Sequence, residues 1–357
     1  MSAAALARSL VELHAVFDAH VDSIGRALDE GHDLGVRGPG QLDLERAREG
    51  GLGAAVFACW VDPARFLPGA FSRARAMLAA LHALAARHPS RVRLVGNARA
   101  LAAARAEGRL AAVAGVEGGH AIEEDLAKLD FLFAHGLRAM TLVWNNHLSW
   151  IRSCQDGAGE GVPAGLGAFG RRVVARMGEL GVLADLSHAS ERAVFDVLEV
   201  AAHPPIASHS GCRALHDHPR NLSDEALRRI GARGGVVGIV FHPPFLAPAQ
   251  EAPLPAARLL AHIAHAAEVA GAANVGLGSD FDGIERGPEG IEDASRYGAL
   301  AELLLGHGFG AEETRGILGA NFERVFAEAT GPGTLAYAAE IRPLAAETVP
   351  DGEDAAR

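Results

Sequence analysis

Short apolar segments alternate with helical segments along most of the chain, and this alternation restricts the fold more than any other feature of the sequence. Between the apolar segments, alanine, leucine and arginine residues recur at helical spacing. Strands that alternate with helices predict a parallel sheet built from βαβ units, and eight of them favour a closed (β/α)8 TIM barrel over an open doubly wound sheet. The predicted strands are residues 15–22, 53–61, 110–118, 137–145, 181–188, 204–210, 234–242 and 273–283.

The length and the connecting segments predict a single domain. A chain of 357 residues falls within the range of one α/β barrel, and no segment has the composition of an interdomain linker. We therefore expect one barrel domain over residues 1–357, with its core at about 15–330 and an acidic C-terminal tail. The stretch 145–165, rich in glycine and polar residues, predicts a loop over the barrel mouth.

The charged residues argue against several classes of function. Lysine and arginine total 33 against 44 acidic residues, a net charge of −11, and the arginines form no basic stripe, so we expect no nucleic-acid partner. The single lysine, Lys128, lies in a charged helical segment, which disfavours Schiff-base chemistry, a G-x-x-x-x-G-K phosphate loop and a carbamylated-lysine metal bridge. No G-x-G-x-x-G motif directly follows a predicted strand, which disfavours a nucleotide-cofactor enzyme.

The cysteines and the apolar runs indicate the compartment. Cys59, Cys154 and Cys212 have no C-x-x-C spacing, which disfavours both a disulfide framework and a structural zinc knuckle and fits a reducing environment. The first twenty residues lack the uninterrupted apolar region of a signal peptide, and no later run reaches the roughly 18 apolar residues of a membrane span. We expect a cytoplasmic protein with no membrane partner.

Histidines and carboxylates end several of the predicted strands. Because α/β barrels build their active sites at the carboxyl ends of the strands, these residues are the candidates for chemistry. His20 and Asp22 end the first strand, and Glu117 ends the third. His188 and His209 end the fifth and sixth. Each histidine alone is more often a hydrogen-bonded core residue, and Glu117 alone could pair with an arginine. Together the five predict a site for divalent cations, because their nitrogen and oxygen atoms suit Zn²⁺ or a related ion.

A sixth candidate, Asp280, ends the eighth strand, where its carboxylate could take a proton from a metal-bound water and deliver it to a leaving amine. Six protein groups are too many for one catalytic ion that keeps an open coordination position, so we expect two ions that share one ligand. Lys128 is not at a strand end, which leaves Glu117 as the candidate bridge. His242 closes the seventh strand and could reach the substrate, whereas Cys212 has no adjacent base and is a poor candidate for a nucleophile.

The combination of these motifs resembles the renal or membrane dipeptidase family of the amidohydrolase superfamily. The resemblance runs in order from about residue 15 to 330 and rests on DAHVDS, GVEGGHAI, DLSHAS, ASHS, Arg220-Asn221-Leu222 and GSDFDG. It implies two Zn²⁺ ions per chain, one held by His20 and Asp22 and the other by His188 and His209. Glu117 would bridge the two ions.

The resemblance also implies roles for residues outside the ligand set. Asp280 would contact a hydroxide that bridges the ions, and Arg220 would hold the free carboxylate of a dipeptide. A guanidinium fork suits that second role, because it can grip a carboxylate through two hydrogen bonds, although an ordinary surface arginine is the alternative. The chain is similar to the soluble bacterial branch of the family, which implies dipeptides that include L-Xaa-D-Xaa and a homodimeric enzyme.

One position departs from the family. The fourth strand is expected to end with a histidine that polarises the scissile carbonyl, but MTLVWNN places Trp144 there. Either Asn145, Asn146 or His147 donates the hydrogen bond to the scissile carbonyl, or a metal ion polarises the carbonyl alone. This departure concerns efficiency and substrate range more than the type of reaction.

These observations predict a zinc-dependent dipeptidase in which a metal-bridging hydroxide attacks the peptide bond of a small dipeptide. Trp144 favours a second hypothesis, a related hydrolase that acts on another small amide or ester, such as an N-acyl amino acid or a lactone. A third hypothesis is a barrel that serves only as a binding or scaffold module. The presence of all six predicted metal and proton-transfer residues argues against it.

Overall fold

Nine β-strands and a shell of helices make up the described residues, 3–251 and 253–345, of the computed structural model. The strands are β1 (Val16–Val21), β2 (Leu52–Trp60), β3 (Val92–Leu94), β4 (Leu110–Glu117), β5 (Leu137–Thr141), β6 (Leu183–Asp185), β7 (Ile206–Ser210), β8 (Val236–Ile239) and β9 (Val275–Leu277). The α-helices are α1 (Ala3–Glu12), α2 (Ser23–Glu30), α3 (Leu44–Glu49), α4 (Pro63–Phe66), α5 (Ala70–Arg87), α6 (Ala98–Ala106), α7 (Leu126–Ala134), α8 (Ala168–Leu180), α9 (Glu191–Val200), α10 (Asp224–Ala232), α11 (Pro243–Leu246), α12 (Ala256–Ala270), α13 (Tyr297–His307), α14 (Ala311–Arg315) and α15 (Asn321–Ala329).

Eight of the strands close into a barrel. They are hydrogen-bonded in the order β2-β1-β9-β8-β7-β6-β5-β4, all in parallel, and pairing between β2 and β4 completes the ring. These are the eight strands that the sequence predicts, so the predicted (β/α)8 fold class is confirmed. The sequence did not predict β3, which has only three residues. It pairs with Leu110–Ala112 at the start of β4, whereas β5 pairs with β4 only from Ala114 onward.

The barrel strands are buried on both faces, which is why they read as continuous apolar runs. At the amino-terminal end of the barrel, residues that begin several strands form an apolar cluster with α15. The ring of Phe17 on β1 lies 5.9 Å from Phe322 and 6.4 Å from Phe326, both on α15. This packing closes one end of the barrel and leaves the carboxyl ends of the strands as the open end.

The predicted loop follows β5. Between β5 and α8 the chain forms isolated bridges but no helix or strand of its own, and the bridge between Ser153 and Ala189 ties it to the segment after β6. Residues 346–357 of the predicted acidic tail lie outside the described residues. None of the described helices has the length and apolar composition needed to cross a membrane.

Candidate metal centre and active site

The five predicted ligand side chains meet at the carboxyl ends of β1, β4, β6 and β7. The Oε1 atom of Glu117 lies 2.9 Å from Nε2 of His188 and 3.4 Å from Nε2 of His209. Its other oxygen, Oε2, lies 3.5 Å from Nε2 of His20, and that nitrogen is 3.7 Å from Oδ2 of Asp22. The two oxygens of one carboxylate therefore face two separate pairs of donor atoms.

The donor atoms are arranged as a divalent cation would require. These atoms form three groups in which all members lie within 4.8 Å of one another: Glu117 with His188 and His209, Glu117 with His20 and Asp22, and Asp280 with His20 and His209. Within the described residues, His20 Nε2 and Asp22 Oδ1 are buried without a hydrogen-bond partner, which is costly unless another group satisfies them. Imidazole nitrogens and carboxylate oxygens suit zinc and similar ions. The residues present thus fit metal ions.

Hydrogen bonds on the far side of two imidazoles aim their Nε2 atoms at the cluster. Nδ1 of His188 lies 2.8 Å from Oδ1 of Asn145, and Nδ1 of His209 lies 2.8 Å from Oγ of Ser208. A metal-binding histidine usually donates its second ring N–H in this way. Asn145, which the sequence analysis places near the substrate carbonyl, therefore also orients His188.

Two of the site residues adopt backbone conformations that are unusual for non-glycine residues. His188 has φ of 68° and Asp280 has φ of 64°. Each such residue costs on the order of 1–3 kcal/mol and is held only by its surroundings. Here Cys154 N donates to His188 O at 2.7 Å, and Asp280 N donates to His20 O at 3.0 Å. The fold thus holds both side chains at the mouth despite the strain.

The histidines and Glu117 shift one another's pKa values. Burial opposes protonation of His20, but the charge of Glu117 and the contact with Asp22 hold its pKa well above the usual range. Burial opposes ionisation of Glu117, yet the charge of His20 and the close contact with His188 bring its pKa well below the usual range. Burial and the Arg220 charge lower the pKa of His188 to about 4. His188 is therefore neutral near pH 7, as a metal ligand must be.

The carboxyl group of Asp280 lies beside the metal-ligand candidates. Burial, followed by the negative charge of Asp22, raises the pKa of Asp280 well above its usual range. One of its oxygens lies within 4.8 Å of nitrogen atoms of His20 and His209. A carboxyl group that can carry a proton beside the donor cluster suits general acid–base chemistry.

Arg220 is a buried cation without a carboxylate partner among the described residues. Its relative exposure is 3%, its Nη2 donates to His209 O at 2.9 Å, and its guanidinium lies 5.2 Å from the Phe245 ring centroid. Nε is buried and has no hydrogen-bond partner in the described part of the chain. A buried cation is costly when it lacks a counter-charge, so this site favours an anionic ligand.

An open cleft of about 820 Å³ connects the donor cluster with Arg220. All four predicted substrate-binding residues line it: Arg220, Trp144, Asn145 and His242. Burial, with the charge of Arg220, lowers the pKa of His242 to about 4, so this ring is neutral near pH 7. Its Nδ1 is buried and has no hydrogen-bond partner in residues 3–251 and 253–345.

Trp144 forms an aromatic wall of the cleft. Its ring centroid lies 5.1 Å from that of Trp60 and 6.0 Å from that of His188. His147 does not replace the expected histidine of the fourth barrel strand, because its Nε2 contacts Asp156 O at 3.2 Å and its Nδ1 accepts from Ser153 N. Trp60 is not recognisable in the sequence as a site residue, because a tryptophan at the end of a strand is typical of apolar packing.

The thiol of Cys212 lies apart from this chemistry. Its Sγ donates to His262 O at 3.3 Å, and burial raises the pKa of Cys212 to about 12. A buried thiol of this kind is a poor nucleophile.

Comparison with known proteins adds an independent observation. A family model described as membrane dipeptidase (peptidase family M19) matches residues 4–334. The chain belongs to this family. A relative from Schizosaccharomyces pombe is described as an uncharacterized dipeptidase. It is 32% identical to this membrane dipeptidase family member over 295 residues, which are 80% of this chain and 71% of the relative. The predicted resemblance is confirmed.

Solved structures of metallopeptidases share the fold. The structure of the dipeptidase AC, a metallo peptidase of family M19, has a TM-score of 0.81 and 30% identity and covers 88% of this chain and 98% of that one. The structure of a metallo peptidase from Rhodobacter sphaeroides, liganded with a phosphinate mimic of the dipeptide L-Ala-D-Ala, has a TM-score of 0.78 and 27% identity and covers 88% and 99%. The membrane dipeptidase family is a family of metallo-dipeptidases, which confirms the predicted enzyme class.

Proposed function

We propose that this dipeptidase holds two Zn²⁺ ions and hydrolyses small dipeptides, including those with a D-residue at the C-terminal position. The observation that carries the proposal is the buried guanidinium of Arg220, which opens onto the same cleft as the donor cluster. A dipeptide has one group for each of these two parts of the cleft: a carboxylate and an amide carbonyl. Its carboxylate would pair with Arg220, and its amide carbonyl would lie at the ions.

The donor geometry supports two ions that share Glu117. His20 and Asp22 would hold one ion, and His188 and His209 the other, since each pair faces a different oxygen of Glu117. When bound, such ions supply Lewis acidity and make water a nucleophile near neutral pH. Three nitrogen donors among the five residues favour zinc over magnesium or calcium.

Arg220 would select the substrate by its free carboxylate. The fork of the guanidinium can make two parallel hydrogen bonds to a carboxylate, and the unpartnered Nε is available for one of them. The Rhodobacter sphaeroides relative was solved with a mimic of L-Ala-D-Ala, which supports a D-residue at this end of the substrate of the present chain.

Asp280 would move the proton. Its raised pKa lets the carboxylate accept a proton from the attacking water and hold it. The same carboxyl group would then donate that proton to the departing amine, so that the peptide bond breaks and a neutral amine leaves.

Trp144 supports a second candidate function. Because the wall formed with Trp60 is aromatic, the half of the cleft beside His188 offers apolar contacts to an acyl chain as well as to an amino acid side chain. An N-acyl amino acid has the same carboxylate and amide as a dipeptide but lacks the free amino group. It is the alternative substrate that this cleft fits.

A substrate panel decides between the two. We expect the zinc-loaded enzyme to hydrolyse L-Ala-D-Ala and L-Ala-L-Ala and to act poorly on the C-terminally amidated dipeptides, which cannot pair with Arg220. N-Propionyl-alanine is the matched compound without the amino group. A higher kcat/KM for the propionylated compound than for both dipeptides would replace the first candidate by the second. Elemental analysis of the same sample should give two zinc ions per chain, and one ion would contradict the shared role of Glu117.

A further inference from the structure

Ser208 lies at the point where the two proposed ion sites meet. Its Oγ is 2.8 Å from Nδ1 of His209 and 3.3 Å from Nδ1 of His20. These histidines belong to different ion sites in the proposed function, on which this inference rests. One hydroxyl group thus contacts an imidazole of each site, on the side away from the ions.

The contacts of Asp185 show where the hydroxyl hydrogen of Ser208 goes. Oδ2 of Asp185 lies 2.6 Å from the hydroxyl oxygens of Ser208 and Thr141. Oδ1 accepts from the backbone N–H groups of Ser187 at 3.0 Å and Ser208 at 2.8 Å. Four donors occupy the acceptor positions of the two oxygens and leave none for a proton, so the carboxylate only accepts. The Ser208 hydroxyl therefore donates to Asp185.

Once its hydrogen is donated, the Ser208 oxygen can only accept. Its two lone pairs face the Nδ1 atoms of His209 at 2.8 Å and His20 at 3.3 Å, and the hydroxyl of Ser187 also lies 3.3 Å away. Any hydrogen bond between Ser208 and either ring must therefore come from a ring N–H. His20 and His209 then carry their hydrogens on Nδ1, and their bare Nε2 atoms lie toward Glu117. We propose that Ser208, held by Asp185, is a positioning residue that fixes the tautomer of one histidine in each ion site and so strengthens zinc binding at both sites.

The surroundings of Ser208 shield this arrangement from bulk solvent. Ser208 is 2% exposed and Asp185 is 3% exposed. The backbones of Gly238 and Gly278 pack so closely on the carbonyl oxygen of Ser208 that a Cβ at either position would lie within about 2 Å of it. Because bulk solvent does not reach the hydroxyl, its hydrogen bonds are stronger than those of an exposed serine.

Ser210 offers a matched control. It lies two residues further on β7 and is fully buried, but its Oγ has no hydrogen-bond partner in the described part of the chain. Replacing either serine by alanine removes one buried hydroxyl from the same strand. Only the change at Ser208 removes a group that contacts histidine nitrogens.

The experiment measures zinc affinity by competition with a chromophoric chelator, using the full-length wild type, Ser208→Ala and Ser210→Ala. We expect Ser208→Ala to weaken both zinc ions by about 10- to 100-fold, the range for losing a partner of a ligating histidine. Ser210→Ala should bind both ions as the wild type does. Loss of affinity at one ion only, at neither ion, or equally in the two variants would overturn the proposal.

A second measurement on the zinc-loaded wild type does not depend on the folding of a variant. Long-range ¹H–¹⁵N spectra should show slowly exchanging, hydrogen-bonded Nδ1–H groups for both His20 and His209, and a proton on Nε2 of either ring would contradict the inference. Both readouts are independent of catalysis. A wild type that does not bind two ions would count against the proposed function, whereas normal binding by Ser208→Ala would count only against the role of Ser208.

Discussion

At the scale of single residues, the αL conformation of Asp280 decides how its role can be tested. Asparagine tolerates this backbone conformation, so Asp280→Asn removes the proton-carrying group without adding backbone strain. We expect kcat to fall by roughly 10²- to 10⁴-fold, the usual contribution of a general acid–base group, with two zinc ions retained. Steady-state kinetics and elemental analysis measure the two quantities.

Glu285→Gln is the control for Asp280→Asn, because Glu285 lines the same cleft but is exposed to solvent. It should keep wild-type turnover. If Asp280→Asn turns over dipeptides as fast as this control, Asp280 does not transfer the proton.

Arg220 is best tested by Arg220→Met, which keeps an apolar stem beside Phe245 and removes the guanidinium. A hydrogen bond to a charged group is worth about 1.5–3 kcal/mol, so KM for dipeptides should rise by roughly 10- to 100-fold while kcat changes less. The matched comparison is the C-terminally amidated dipeptide, for which wild type and variant should have similar kcat/KM. An equal loss for both substrates would mean that Arg220 supports the fold and not the carboxylate.

At the scale of helices and strands, the barrel and its ligand set could be predicted because each strand is a short local pattern. Glu117 is visible at the end of β4 because seven small or apolar residues precede it. His188 and Asp280 lie three residues beyond β6 and β9, and the sequence still places them at the mouth because the strands before them are apolar. The candidate site residues at the carboxyl ends of the strands in this fold can therefore be predicted from a single sequence.

The contacts between strands could not be predicted in the same way. Asp185 and Ser208 lie in the motifs DLSHAS and ASHS, but their hydrogen bond joins β6 to β7 across 23 positions in the chain. The same holds for Asn145, whose contact with His188 spans 43 positions. No local spacing encodes such pairs, since they depend on the register of neighbouring strands.

Packing between strands gives an element-scale prediction. A Cβ on Gly278, directly after β9, would lie 1.8 Å from the backbone oxygen of Ser208 on β7. Because backbone must move to admit it, Gly278→Ala should lower the free energy of unfolding by at least about 1–3 kcal/mol. Urea unfolding of the zinc-loaded protein measures this change.

The control is Gly306→Ala, at a position in α13 where a Cβ would meet nothing within 4 Å. Alanine there should leave the free energy of unfolding unchanged or raise it by at most about 0.5–1 kcal/mol, since Gly306 lies in the last turn of the helix. If both variants were stabilised, the close approach of β9 to β7 would not be a real constraint.

At the scale of the whole molecule, we propose that the entire chain is one domain. Helix α1 packs against α13 and α15 closes the barrel base, so elements from both ends of the chain join one core. The homodimer and the cytoplasmic location expected from the sequence stay predictions.

Because ions that bind only the folded state stabilise it by mass action, free zinc at 100 times Kd should contribute about 2.7 kcal/mol per site. Chelation should remove this stabilisation. Urea unfolding with and without chelator should show one cooperative transition in each case, whereas two separated transitions would contradict a single domain.

The stabilisation by zinc should depend on pH, in a direction that follows from His20 and Asp22. Burial opposes the charge of His20, but Glu117 keeps its pKa well above the usual value, and burial raises the pKa of Asp22. In the ion-free protein both groups take up protons more readily than usual, and zinc must displace those protons, so the stabilisation should shrink as the pH falls. His188, with its pKa lowered to about 4, stays neutral and contributes little to this trend. Unfolding free energies with and without chelator, at about pH 6 and about pH 8.5 and equal free zinc, should differ more at the higher pH. An equal difference at both values would show that zinc does not displace protons from His20 and Asp22.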